Sequence, residues 1–249
     1  MRKERNWGAI ITAIVVGVIV LGTVAIAGTL KLFNSIDFKK YTKPAAGEVA
    51  LIDTVIPANE DNGGIADHVK GSADAPVLIF EYADYQCSAC ATYSSRINKL
   101  VEEYDGKLGI VYRSFLLSYH QNGTAAASAA EAAGLQGYWE EYADLLFANQ
   151  SVWSSASGDK RTDLFVDLFN AASDNKGDVA KFRADMNSSE VKKKINFDMN
   201  LGQSLDIPGT PSFYLDGERI DMSEISGEDG FLKAMREKID AKLAEKSEN

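Results

Sequence analysis

Cysteine is scarce in this sequence: its 249 residues include two, Cys87 and Cys90. A framework of stabilising disulfides needs several cysteine pairs, so the class of small disulfide-stapled scaffolds is excluded. With no other cysteine to pair, a disulfide between these two is a local bond. The C-x-x-C spacing allows the two sulfurs to join within one turn of a helix, as redox sites require. The sequence therefore predicts a switchable disulfide.

Histidine is equally scarce, with His68 and His120 the two examples. Apart from acids, these are the remaining ligands for a zinc site built on the two cysteines. Half of a zinc site and a purely structural disulfide are therefore the weaker alternatives. The sequence also carries no motif for flavin or haem, and we expect no cofactor.

A surplus of basic residues is missing as well. The 26 lysines and arginines are outnumbered by 36 acidic residues, which gives a net charge of −10. An acidic chain is poorly suited to nucleic acid or to broad contact with anionic lipid, so both classes of partner are excluded. With 45% hydrophobic residues, the composition instead describes a globular domain.

The N-terminal region contains a long apolar run. Residues 7–30 carry no charge and follow three basic residues. A helix of this length can cross a hydrocarbon core of about 30 Å. We therefore predict a cytoplasmic tail and single-pass anchor over 1–30, in the cell membrane, with the remaining domain extracytoplasmic. A cleaved signal peptide is one alternative, because residues 25–27 resemble a cleavage site. A domain that faces the cytosol is another, because basic residues flank both ends of the run.

The rest of the chain predicts an α/β domain interrupted by helices. Prolines and glycines indicate a linker over 31–66, and one domain follows over 67–246. Apolar patterning predicts a strand at 77–82, a helix at 88–104 and a strand at 108–115, which form a parallel βαβ unit. A helical block covers about 119–205. A hairpin from 212 to 220 and a last helix over 224–246 complete the domain.

The two cysteines lie where the first strand gives way to the first helix. A helix N-terminus offers unpaired N–H groups and a positive dipole end, which favour a thiolate on Cys87. Cys87 is therefore the predicted nucleophile. Cys90, one turn inside, would resolve a mixed disulfide formed at Cys87.

Four segments in the same order resemble one protein family. They are FEYADYQCSAC at 80–90, YRSFLL at 112–117, the stretch from YWEEY to FANQ at 138–150, and GTPSF at 209–213. Together they resemble the DsbA-like thiol–disulfide oxidoreductases of the thioredoxin superfamily, and in particular the membrane-anchored extracytoplasmic members of bacteria. The resemblance runs from about residue 67 to 243. It implies a thioredoxin-like fold with an all-helical insertion between its βαβ and ββα halves.

The resemblance also implies roles for individual residues. Pro211 is expected to be a cis-proline beside the active site, preceded by Thr210, with a free backbone edge that pairs with an extended substrate segment. An ordinary trans proline is the alternative. Glu81, six residues before Cys87, is expected to assist proton transfer at Cys90. The alternative is a surface or salt-bridged glutamate.

Other polar residues near these motifs receive plainer assignments. The motif dipeptide Ser88-Ala89 departs from the Pro-His of the strongest oxidants in the family, so it leaves the redox potential open. Asp84 is predicted to be a loop residue or helix cap. His120 is predicted to be a satisfied histidine, and His68 a surface residue.

The function predicted from the resemblance is a thiol oxidase that introduces disulfides into exported proteins. Its expected partners are reduced or unfolded exported proteins and a quinone-linked reoxidase in the membrane. We expect a monomer. No separate dimerisation module is evident, which weakens the isomerase alternative. The alternatives are a disulfide reductase or isomerase, and a non-catalytic module that binds peptides.

Overall fold

The structure is a computed structural model, which describes residues 53–223, 225 and 227–248. The predicted anchor and most of the predicted linker lie outside these residues. No helix in the part of the chain that the structure describes has the length and apolarity needed to cross a membrane.

Five strands form one mixed sheet in the order β1-β3-β2-β4-β5. They are β1 (His68–Gly71), β2 (Val77–Ala83), β3 (Leu108–Ser114), β4 (Ser212–Leu215) and β5 (Glu218–Arg219). The strands β2 and β3 are parallel and are joined by helix α1 (Ser88–Glu103), which confirms the βαβ unit. The neighbouring pairs are antiparallel. The apolar pattern does not predict β1, because His68 and Lys70 take up half of its four residues.

A block of six helices separates β3 from β4 and confirms the predicted helical insertion. They are α2 (Gly123–Gly134), α3 (Trp139–Ala148), α4 (Gln150–Trp153), α5 (Gly158–Ala172), α6 (Val179–Asp185) and α7 (Ser189–Ser204). The single-turn helix α4 is too short for periodicity to reveal. Helix α8 (Gly227–Ser247) follows the last strand.

The two faces of the sheet have different coverings. Alternation along β2 directs Ile79 and Glu81 to one face and Phe80 and Tyr82 to the other. Helices α1 and α8 cover the first face, where their apolar side chains join those of the strands in one core. Its fully buried members include Ile79, Leu100, Leu108, Phe213, Phe231, Met235 and Ile239. Helix α7 packs against β3 from the opposite face.

The end of the predicted linker packs as part of the domain. Ile56 and Ile65 are buried, and Asn62 is fully buried. The Asn62 amide donates to the Pro57 carbonyl (2.8 Å) and its Oδ1 accepts from the Asn59 N–H (2.8 Å). This turn folds residues 56–65 back onto the sheet, so the domain begins before residue 67.

Candidate functional site

The two cysteines occupy the start of helix α1, as the sequence predicts. Cys87 is the N-cap residue of α1 and Cys90 lies one turn inside it, both as free thiols. Cys87 keeps 7% of its surface exposed and Cys90 keeps none. Ser88 and Ala89, the residues between them, are exposed. A reagent or substrate therefore reaches the first sulfur and not the second.

The surroundings of Cys87 favour its thiolate. The pKa of Cys87 is lowered to about 5, mainly by a hydrogen bond from the Cys90 thiol that outweighs the effect of burial. The Thr210 side chain and the backbone N–H groups of Ala89 and Cys90 lower it further. The sequence identified the helix N-terminus as the source of the shift, but the contributions of Cys90 and Thr210 come from tertiary structure.

The surroundings of Cys90 have the opposite effect. Burial raises the pKa of Cys90 far above its ordinary range, and the hydrogen bond to Cys87 and the charge of Glu81 raise it further. The pair therefore divides into one sulfur that ionises easily and one that holds its proton.

The segment around Pro211 lies directly beside Cys87. The Thr210–Pro211 peptide bond is cis. The Cys87 thiol donates to the Thr210 carbonyl at 3.4 Å. The adjoining strand β4 pairs with β2, with Ser212 opposite Tyr82, so both strand ends meet at the cysteine motif. Thr210 Oγ1 is buried without a hydrogen bond of standard geometry in the described part of the protein, so it can donate to a thiolate.

Glu81 lies inside the protein below the cysteines. It is 4% exposed and borders a cavity of about 20 Å³, which has room for one water molecule. Burial raises the pKa of Glu81 to about 8, although Lys70 opposes this. Lys70 instead binds the Asp144 carboxylate and the Asn98 amide oxygen, the latter at 2.7 Å. The buried position excludes the surface alternative, while the role of Glu81 in proton transfer stays a prediction.

Asp84 connects the cysteine loop to the loop after β3. Its buried carboxylate accepts from the N–H groups of Gln86 and Leu117, at 2.8 and 2.9 Å, and lies 2.8 Å from His120 Nδ1. Gly123 at the start of α2 approaches it so closely that a Cβ there would lie 2.9 Å from the carboxylate. Asp84 is thus a loop residue and not the cap of α1, and His120 is satisfied, as predicted.

The assignment of His68 to the surface is wrong. Its ring stacks on Trp139 with 4.6 Å between centroids, and its Nε2 lies 2.8 Å from Glu131 Oε2. Strand β1 carries His68 beneath the helical block, which the sequence did not reveal because β1 itself was not predicted. The described residues contain no group of three or more His, Cys, Asp or Glu side chains placed to hold a metal ion.

Gln150 is a neighbour of the cysteine motif that the sequence analysis did not single out. Its amide nitrogen donates to the carbonyls of Tyr85 (2.8 Å) and Cys87 (3.0 Å). No spacing rule identifies such a contact, since 63 residues separate Gln150 from Cys87. The one available signal was its place at the end of the FANQ segment.

Comparisons with known proteins agree with this geometry. A family model described as thioredoxin matches residues 64–234. Oxidised BdbD from Bacillus subtilis has a similar structure, with a TM-score of 0.59 and 21% identity over 77% of this chain and 99% of that one. For alpha-DsbA1 from Wolbachia pipientis the TM-score is 0.56, with 24% identity over 72% and 92%.

Curated relatives that match this chain are named as antiporters, and one of them illustrates the extent of the match. It is Na(+)/H(+) antiporter NhaA 3 from Salinispora tropica, which is 30% identical over 169 residues. The match covers 68% of this chain but about a quarter of the relative, 24%. The similarity therefore concerns one part of that protein.

Proposed function

This chain belongs to the thioredoxin family and has a DsbA-like fold, and we propose that it is a thiol oxidase that introduces disulfides into exported proteins. The observation that carries the proposal is the contrast between its two sulfurs. Cys87 is reachable and has a pKa of about 5, whereas Cys90 is fully buried with a raised pKa. Such a pair exchanges disulfides at its first sulfur.

The reaction follows from these two environments. A substrate thiolate attacks Cys87 Sγ of the oxidised enzyme, the Cys87–Cys90 bond breaks, and its electron pair leaves on Cys90. Because Cys90 has a high pKa it takes up a proton, which we assign to the protonated Glu81 carboxyl. A second substrate thiolate then attacks the substrate sulfur of the mixed disulfide. Cys87 leaves as a thiolate, so the substrate is oxidised and the enzyme reduced by two electrons.

The low pKa of Cys87 favours the oxidase direction. A stabilised thiolate stabilises the reduced enzyme, which makes its disulfide a stronger oxidant. A low pKa also makes Cys87 a good leaving group when the product disulfide forms. The stabilising donors here are Cys90, Thr210 and backbone N–H groups, so a histidine between the cysteines is not needed for the shift.

The proposal includes a place in the cell. The apolar run over 7–30 supports a single-pass anchor in the cell membrane with the catalytic domain extracytoplasmic. A quinone-linked membrane reoxidase would then return the dithiol to the disulfide. The cis Thr210–Pro211 segment beside Cys87 would hold an extended substrate by its backbone.

The direct test is a two-part assay of the full chain. The oxidised protein is incubated with a reduced, unfolded protein that needs disulfides for activity, with Cys87→Ser as the control. We expect activity to return with wild type only. Equilibration with glutathione mixtures then gives the redox potential. A potential near that of thioredoxin, about −270 mV, would favour a reductase instead.

The antiporter relative favours a second candidate within the same chemistry: the thiols that this chain oxidises belong to a membrane transport protein. The variant Cys90→Ala separates the two candidates. Its Cys87 thiolate attacks the disulfide of an oxidised substrate and a substrate thiolate leaves, and the variant has no second cysteine to release the resulting mixed disulfide. Isolation of the trapped partners from membranes and from the extracytoplasmic fraction identifies the substrate class. Trapped partners from the extracytoplasmic fraction alone would exclude the second candidate.

A further inference from the structure

The helical insertion contacts the cysteine loop through side-chain amides. Gln150, the first residue of α4, donates from one nitrogen to two carbonyls of the loop, those of Tyr85 and Cys87. The Cys87 carbonyl also accepts the first hydrogen bond of helix α1, from the Ala91 N–H at 3.1 Å. Gln150 therefore holds the backbone of the nucleophile itself.

We propose that Gln150 is a positioning residue that fixes the Cys87 sulfur in its thiolate-stabilising position by clamping the loop to the helical insertion. The inference rests on the proposed function, because it concerns the same reactive sulfur. It adds a residue from a different part of the chain, contributed by a helix outside the βαβ and ββα halves.

The helix that carries Gln150 is itself held in place by hydrogen bonds. Trp153, on the same helical turn, is fully buried and donates to the Leu146 carbonyl at 2.8 Å. Asn122 donates to the carbonyls of Trp153, Ser154 and Ala156 at 3.3, 2.9 and 2.8 Å. The end of helix α4 and the loop after it are thus held at three carbonyls.

A second glutamine, which belongs to the cysteine loop, also binds the helical insertion. Gln86 donates to the Ser154 carbonyl at 3.0 Å, and its Oε1 accepts from the Asn122 N–H at 2.6 Å. Gln86 immediately precedes Cys87, so the loop is bound to α4 by Gln150 and to Ser154, the residue after α4, by Gln86. We call Gln86, Asn122 and Gln150 the carboxamide clamp.

The clamp matters for chemistry because the contacts that stabilise the thiolate depend on position. The Cys90 thiol, the Thr210 side chain and the N–H groups of Ala89 and Cys90 act on the Cys87 sulfur only while the first turn of α1 keeps its orientation. Hydrogen bonds weaken steeply with distance and angle. A small rotation of the Cys87 backbone therefore weakens several of these contacts together.

The test compares Gln150→Ala with Gln136→Ala in the full chain. Gln136 is a matched control: it is half-buried, lies in the same insertion and also binds backbone, donating to the Asp178 carbonyl (3.0 Å) and accepting from the Asp178 N–H (2.9 Å). Each variant loses two side chain–backbone hydrogen bonds. Only Gln150 contacts the cysteine loop.

We expect Gln150→Ala to raise the pKa of the Cys87 thiol by about one unit, measured from the pH dependence of its alkylation. The equilibrium constant for oxidation of glutathione by the enzyme should fall about tenfold, because each unit of thiolate pKa is a factor of ten. Gln136→Ala should leave both quantities unchanged. Unchanged or equal values in the two glutamine variants would overturn the inference. An ordinary thiol pKa in wild type would instead overturn the proposed function.

Discussion

Two buried ionic sites lie on opposite faces of the same sheet, at neighbouring strand positions. Glu81 on β2 and Tyr112 on β3 are paired in register and border the small cavity on the face of helix α1. The next pair in register, Tyr82 and Arg113, is directed to the face of helix α7. One residue of alternation thus separates a site with little electrostatic compensation from one whose charges are joined in ion pairs.

The compensated site is a cluster of four charges joined by ion pairs. Arg113 and Lys194 both bind the Asp67 carboxylate, at 2.7 and 2.9 Å, and Lys194 also binds Asp198 at 2.7 Å. Although burial alone would raise it, Lys194 and Arg113 hold the pKa of Asp67 below its ordinary value. Arg113 also reaches the Thr54 carbonyl at 2.7 Å, which ties the N-terminal segment to the sheet.

Glu81 has no such compensation. Among the described residues, none donates a hydrogen bond of standard geometry to its carboxyl, and burial raises its pKa to about 8. The charged partners of a buried acid therefore determine its protonation state. An acid paired with two cations stays ionised and has a structural role, whereas one without them holds a proton near neutral pH and can exchange it.

The largest expected effect is on the compensated site. Arg113→Met leaves Asp67 buried with one cation fewer, and removal of one partner from a buried pair costs about 3–5 kcal/mol. The free energy of unfolding from urea titration should fall by this amount, while the pKa of Cys87 stays near 5. Lys99→Met, which breaks an exposed pair with Glu228, should change the free energy of unfolding much less, because water screens the pair. Equal losses in the two variants would show that the cluster is not a stabilising centre.

The next effect concerns Glu81 and the pH dependence of stability. Its folded pKa of about 8 lies above the ordinary 4.5, so the folded protein retains a proton that the unfolded chain releases. The resulting stabilisation is complete below about pH 4.5 and is lost as the pH rises through 8. Glu81→Gln should abolish this decline, which amounts to a few kcal/mol at about 1.4 kcal/mol per pKa unit.

This measurement needs a background without the Cys87 thiolate, because the lowered pKa of Cys87 makes stability rise with pH over an overlapping range. We therefore compare Cys87→Ser with Cys87→Ser/Glu81→Gln by urea unfolding between pH 6.5 and 8.5. Burial raises the pKa of Asp198 to about 6, so the change in stability caused by its ionisation is largely complete below this pH interval. Parallel pH profiles in the two proteins would mean that Glu81 does not hold the proton.

The sequence predicted the components of the redox site better than their energetic partners. Cys87, Cys90, Glu81 and the 210–211 segment were found because their signals are local motifs or a family pattern. Lys70 and Asp144 were not, since a lysine on an unpredicted strand and an acid on an amphipathic helix give no local sign that they meet. The same holds for Asp67, Lys194 and Asp198.

The parts of the fold that periodicity reveals were predicted in the same way. The strand-helix-strand unit and the helical block have long apolar patterns, and both were confirmed. Strand β1 was missed because Trp139 of the helical block, and not solvent, covers His68. A polar residue such as His68 normally indicates an exposed position, but its ring here bonds to Glu131 and stacks on Trp139.

A smaller effect is expected at Thr210. In the wild type, the Thr210 hydroxyl lowers the pKa of Cys87. The variant Thr210→Val removes this hydroxyl but keeps the shape of the side chain and the backbone carbonyl. We expect that pKa to rise by about one unit, as the loss of one hydrogen bond to a charged group implies. The ultraviolet absorbance of the thiolate, titrated against pH, measures it.

Thr92→Val is the matched control for this prediction. Thr92 lies on α1 two residues beyond Cys90, and its hydroxyl donates to the Ser88 carbonyl at 3.0 Å without contacting either sulfur. Its removal should leave the titration unchanged. A shift of the same size in both variants would trace the effect to helix α1 as a whole.

The smallest effect tests how the helical block adjusts the uncompensated site. Glu81 is faced by Lys70 from β1, Cys87 and Cys90 from α1 and Tyr112 from β3, while Asp144 and Glu140 on α3 act through Lys70. The change Asp144→Asn removes a negative charge that binds Lys70, so more of the lysine's field acts on Glu81. The pKa of Glu81 should fall by less than about one unit, because the Asp144 side chain is 37% exposed and screened.

In the Cys87→Ser background, the midpoint of the stability decline should therefore move to lower pH. Asp163→Asn, which breaks an exposed pair with Arg183 elsewhere in the block, should not move it. A midpoint that rises or stays fixed in Asp144→Asn would mean that burial alone determines the pKa of Glu81. Helix α3 would then contribute nothing to the difference between the two faces of the sheet.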